Sequence, residues 1–153
     1  MDLGLDFGTT HTVVAHSDRG NYPVVSFLDD DGDAQDHFPS VVADDGGTLV
    51  YGFAALEAAR RGRPCARSFK RLLAEPRVTP DTLMRLGDRE VPLFDVLTGH
   101  FSAVLDALRT GSSIEGRLGE TGPVRAMLGV PAQANSAQPT FDARPGPERV
   151  QHS

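Results

Sequence analysis

The chain has almost no lysine and almost no cysteine. Of its 15 basic residues 14 are arginine, and Lys70 is the only lysine. Cys65 is the only cysteine, which excludes an internal disulfide and any metal site built on paired thiolates. A reducing cytoplasm is then the expected compartment. No apolar run approaches the roughly 18 residues of a transmembrane helix, so no membrane partner is expected. The N-terminus lacks the basic stretch and apolar core of a secretory signal. Positive charge is not in surplus, since the net charge is −6. That argues against a nucleic-acid partner, because such a surface needs a basic face to displace counterions.

What is present suits one domain. The 153 residues are 39% hydrophobic and 24% charged, enough for a real core with part of the chain left unpacked. The 16 glycines and 11 prolines predict many loops or an irregular tail. No internal repeat is visible.

The chain opens as a β-meander. Leu3–Phe7 and Thr12–Ala15 are apolar, β-rich runs around a glycine-containing turn, and Pro23–Phe27 reads as a third strand. Leu28–His37 is an acidic loop. Ser40–Ala43 and Thr48–Tyr51 are short strands around an Asp-Asp-Gly-Gly turn. Phe53–Arg61 reads as a helix with Gly62 just beyond its end. Ser68–Leu73 is a short helix or turn stopped before Pro76. Leu93–Arg109 is the clearest helix, with Leu93, Leu97, Phe101, Val104, Leu105 and Leu108 on one stripe. Arg125–Val130 is a compact strand, and Ser136–Gln138 opens another helix. From Pro139 onward, three prolines and few large apolar residues predict a disordered tail over 139–153, leaving 1–138 as the folded unit.

Several motifs fail on inspection. Asp29–Asp33 invites a calcium-loop reading, but the positions that need glycine and a bidentate glutamate hold Ala34 and Ser40. His16, Ser17 and Asp18 place three triad residue types side by side, whereas a triad is assembled from distant segments. Cys65 beside Pro64 has no identifiable base and reads as a small packing residue.

The turn after the first strand is different. Gly8 lets backbone approach an anion closely, amides of the turn can form an anion-binding nest, and Thr9 and Thr10 donate without adding charge. Asp6 repels phosphate and suits water around a Mg²⁺, which takes few protein carboxylates. On local sequence alone, an ordinary hairpin with threonines in its turn fits equally well.

Residues 3–15, LGLDFGTTHTVVA, resemble the first phosphate motif of the actin-like ATPase superfamily, a motif shared with sugar kinases. Four further stretches resemble the seventy-kilodalton heat-shock chaperones. FPSVVA at 38–43 is similar to their "TPSIIA" strand, and LVYG at 49–52 followed by Ala54 to their "VG-x-A" helix entry. FKRLL at 69–73 is similar to "KRLIG", and GVPAQANSAQ at 129–138 to "VPAYFNDAQ". The resemblance implies an α/β, actin-like ATPase (ribonuclease H-like) fold, represented by part of its first lobe, with a mixed sheet and flanking helices. The helix at 93–109 should pack on that sheet, and a smaller excursion over residues 38–87 should carry Lys70. It implies ATP and Mg²⁺ as cofactors. Gly8, Thr9, Thr10 and His11 match the loop around the β- and γ-phosphates. Asp6 matches the carboxylate near the metal, acting through water. Lys70 matches the lysine that reaches the γ-phosphate and the attacking water, a fitting place for a compact ammonium. Client peptides and co-chaperones are the partners implied for the whole family member.

The chain departs from the pattern in places. His11 stands where Asn or Tyr is common, and Gln133 with Ala134 replaces an aromatic pair. The catalytic-glutamate helix, the DxGGGT motif and the adenosine motif are not found, and Pro139 interrupts where a helix should continue. A truncated or frameshifted reading is therefore expected, as an ATP-binding fragment not catalytically competent alone. The alternatives are a non-enzymatic interaction module and a sugar-kinase-like member of the superfamily.

Overall fold

The computed structural model describes residues 2–67, 69–118, 125–129 and 140–142. β1 (Asp2–Phe7) and β2 (His11–His16) form the expected hairpin. Leu3 and Phe7 are buried on one side of β1, while Asp2, Gly4 and Asp6 are exposed on the other, as a strand's two-residue period requires. The register pairs Leu3 with His16 and Phe7 with Thr12.

The expected third strand, Pro23–Phe27, is not continuous. Proline has no N–H for a ladder. Val24 makes an isolated bridge to Ala15, and the Val25 N–H donates to the Val14 carbonyl at 2.7 Å. The first half of β2 pairs instead with a later segment, β5 (Phe38–Pro39). Between them the acidic stretch is the tip of a small hairpin, β3 (Phe27–Leu28) with β4 (Ala34–Gln35).

A compact excursion follows. β6 (Val42–Asp45) pairs with β7 (Thr48–Tyr51) and with β8 (Cys65–Ala66). α1 (Gly52–Arg60) lies between β7 and β8 in sequence, with Ala55 and Ala58 buried. Gly52, which enters this helix, has φ +65°, and an added Cβ would stand 2.2 Å from the Phe38 ring. A 3-10 helix (Phe69–Ala74) and the hairpin of β9 (Leu83–Leu86) and β10 (Arg89–Pro92) complete the excursion.

α2 (Leu93–Thr110) spans the long helix read from the sequence, with its buried stripe turned slightly. The fully buried positions are Leu93, Val96, His100, Val104 and Leu108, while Leu97, Phe101 and Leu105 are partly covered. β11 (Arg125–Gly129) then pairs parallel with β1, from Asp2–Arg125 to Asp6–Gly129. β12 (Thr140–Asp142) pairs antiparallel with β11. It falls in the stretch whose composition reads as a tail, and such pairing needs only backbone groups. The helix opening at 136–138 and the remainder of 139–153 lie outside the described residues. The central sheet has the order β12-β11-β1-β2-β5 and is mixed, so the α/β class stands.

Two apolar clusters meet along α2. Leu3, Val14, Phe27 and Phe38 pack with Val104 and Leu108 toward its end. Phe7, Val42, Phe69 and Met84 pack with Leu93 and Val96 toward its start. His100 lies on the same helical stripe between them.

Candidate functional site

The turn from β1 to β2 is built by one hydrogen bond and one steric need. The Gly8 N–H donates to the His11 carbonyl at 2.9 Å. An added Cβ on Gly8 would stand 2.7 Å from that same carbonyl oxygen, closer than real Cβ atoms come. The Thr10 carbonyl accepts from the Ser40 N–H at 2.9 Å, which ties the turn to the end of β5. The Thr9 and Thr10 amides and hydroxyls have no hydrogen-bond partner among the described residues. The turn thus presents unused donors, which is what an anion requires.

Asp6, Gly8, Thr9, Thr10 and His11 fall within six consecutive residues, 6–11, at one end of the hairpin. Asp6 is exposed, facing away from the core that holds Phe7. Lys70 comes from the excursion. Phe69 packs against Phe7, with ring centroids 5.7 Å apart and the rings tilted by 35°, so the 3-10 helix bearing Lys70 meets the end of β1. Lys70 is only 9% exposed, and no carboxylate lies within ion-pair distance of it among the described residues. A lysine covered to that degree is normally paired.

His11 stacks on His37, with centroids 3.7 Å apart, and His37 in turn contacts Asp36 at 3.0 Å. Burial and the neighbouring His37 hold His11 below the usual histidine range, against the weaker pull of Asp36.

A polar cluster behind the turn was not legible in the sequence. The Thr12 hydroxyl lies 2.9 Å from His100 Nε2 and 2.9 Å from the Ser40 hydroxyl. Thr12 and His100 are wholly buried, and Ser40 nearly so. His100 is enclosed by the rings of Phe7, Phe38, Tyr51, Phe69 and Phe101. Burial pushes its pKa down to about 4. Its Nδ1 has no partner among the described residues. The one available signal was its spacing, four residues after Val96 and four before Val104 on the buried stripe.

The other acidic and nucleophilic candidates are used structurally or exposed. Asp29, Asp31 and Asp33 bring carboxylate oxygens within 4.8 Å of one another. Yet Asp29 Oδ1 accepts from the Asp31 and Asp33 N–H groups, each at 2.9 Å, and Oδ2 accepts from Gln35. That carboxylate closes the loop. Cys65 is exposed at the start of β8, not the buried packing residue expected. No family model matches the chain, and no curated protein matches it.

Proposed function

We propose that the β1–β2 turn is the phosphate-binding element of an ATP site, in a chain of the seventy-kilodalton heat-shock chaperone lineage with an actin-like ATPase fold. Two observations support this reading: the turn has amides and hydroxyls without partners among the described residues, and the covered Lys70, with no carboxylate in ion-pair distance among them, follows Phe69, whose ring packs on Phe7 at the end of β1. The turn and the lysine each lack what a phosphate supplies. The Thr9 and Thr10 N–H groups and hydroxyls bind phosphate oxygens, and Gly8 admits them closely because it has no side chain. The Lys70 ammonium neutralises the terminal phosphate as a point charge. Asp6 is exposed and adjacent, and orients water around a Mg²⁺. The metal, when bound, neutralises charge on the β- and γ-phosphates.

The reading is one of binding, with peptide capture assigned to the larger family member. Calorimetric titration of the whole chain with Mg·ATP tests it. Saturable heat that disappears in Lys70→Ala supports the assignment, and an absence of heat in the wild-type chain refutes it. Turnover by the purified chain should be negligible; phosphate release that Lys70→Ala abolishes would overturn that part.

A second reading, an interaction module, is favoured by the outer face of the sheet. Gly4, Ala15, Tyr22 and Met127 line a concavity of about 270 Å³ there, with Tyr22 70% and Met127 43% exposed. Exposed apolar surface on a sheet suits a partner. Sedimentation that shifts to larger species with concentration supports this reading; a monomer at every concentration argues against it.

A further inference from the structure

His100 has no role in the proposed phosphate chemistry, yet it is wholly buried at the middle of the longest helix. A leucine or phenylalanine would fill that place without a desolvation cost. Five aromatic side chains surround the imidazole, with ring centroids 5.2–6.3 Å away, and none hydrogen-bonds to it. Its one polar contact among the described residues is to Thr12, 88 residues away in sequence.

Thr12 is the second residue of β2, just after the turn. Its hydroxyl touches the Ser40 hydroxyl, and the Ser40 N–H holds the Thr10 carbonyl. A continuous path of three contacts, each 2.9 Å, therefore runs from the helix to the turn: His100 to Thr12, Thr12 to Ser40, Ser40 to Thr10. Holding the Thr10 carbonyl toward β5 fixes the plane of the Thr10–His11 peptide, which closes the turn on its β2 side. A turn free to rotate its peptide groups would have to lose that freedom on binding, at a cost in affinity.

We propose that His100 is a positioning residue for the phosphate turn: through Thr12 and Ser40 it anchors the Thr10–His11 peptide, the β2-side end of the turn that carries the Thr9 and Thr10 donors. The inference rests on the reading of that turn as a phosphate site. His100 itself touches no ligand. With Nε2 bonded to Thr12 in either tautomer, Nδ1 keeps an unused position, a cost the site bears to retain the Thr12 contact.

Two substitutions separate positioning from packing. His100→Phe fills the aromatic cage and removes the nitrogen; His100→Gln restores a nitrogen near Nε2 and packs less well. Mg·ATP affinity should fall roughly fivefold to tenfold in His100→Phe, the worth of about one buried hydrogen bond, and recover in His100→Gln. A packing role predicts the reverse order and would overturn the proposal. Thr12→Val should match His100→Phe, and the double variant should be no worse than either alone. A second readout needs no nucleotide. The Ser40 amide should exchange its hydrogen faster in His100→Phe and Thr12→Val, by more than their loss of global stability accounts for. Unchanged Ser40 exchange in both variants refutes the positioning path. If the wild-type chain fails to bind Mg·ATP, the phosphate reading falls, and the proposed role of His100 toward an anion falls with it. Accelerated Ser40 exchange would then mark the path as one that orders the hairpin alone.

Discussion

Two short polar loops use their hydrogen-bonding groups in opposite ways. In the loop 29–33, the Asp29 carboxylate accepts two backbone N–H groups and the Gln35 amide, and the Asp29 N–H and carbonyl bond within the loop. In the turn 8–10, the Gly8 N–H and the Thr10 carbonyl are engaged, while the two intervening threonine amides and both hydroxyls have no partner among the described residues. In sequence the acidic loop invites a calcium reading that its spacing rejects, and in the structure it is largely self-satisfied. The turn fits an anion nest or an ordinary hairpin equally well in sequence, and in the structure it has donors to spare. Residue type alone does not mark a site; unused donors beside a fixed scaffold do.

Acidification should break the scaffold of the turn with the largest effect. His100 titrates near 4 when folded and near 6.5 when exposed, so the folded state resists its protonation. Its stabilising contribution is complete above the unfolded value and is lost as pH falls from 6.5 toward 4. About 3 kcal/mol is at stake, from the usual 1.36 kcal/mol per pKa unit. Urea midpoints measured across that window should fall steeply for the wild-type chain and less for His100→Phe. Equal slopes would refute the assignment.

Lys70→Ala should cost about tenfold to hundredfold in Mg·ATP affinity, the range for a charged hydrogen bond. Calorimetry reads it directly. Melting temperature should hold or rise, because a covered and unpaired ammonium is removed. A variant that melts earlier would mark Lys70 as structural and weaken the contrast between the loops.

Gly8→Ala should destabilise by about 1–2 kcal/mol, since the added Cβ meets backbone that cannot swing aside. Its loss of nucleotide affinity should exceed its loss of stability, read by calorimetry beside thermal melts. The smallest effect is reserved for the acidic loop. The Gln35 hydrogen bond holds Asp29 below the usual carboxylate range, so its contribution is present at neutral pH and disappears only in acid. Asp29→Asn should leave Mg·ATP binding unchanged and barely move the melt. A calcium-dependent rise in melting temperature that this variant abolishes would revive the calcium reading of that loop.

Much of the secondary structure was legible because its signals are local. The alternation in Leu3–Phe7, the alanine-rich run of α1 and the stripe of α2 each encode their own period. Pro23–Phe27 misled because its composition is that of a strand while Pro23 lacks the N–H a ladder needs. The stripe of α2 was read with Leu97 and Phe101 at its centre, whereas Val96 and His100 occupy it. A histidine counts as polar in a periodicity, so a wholly buried one on that stripe has no local signal of its own.

The sequence by itself determined the hairpin, its glycine turn, the long helix and the isolation of Lys70 among arginines, since each depends on residues within a few positions of one another. Only the tertiary structure decided which distant groups meet. Phe69 reaches Phe7, Ser40 reaches Thr10, and His100 reaches Thr12 across 88 residues. Those pairings follow from how two apolar clusters share one helix. A chain's local periods fix which faces are apolar, but the packing of those faces against each other selects the partner of every buried polar group.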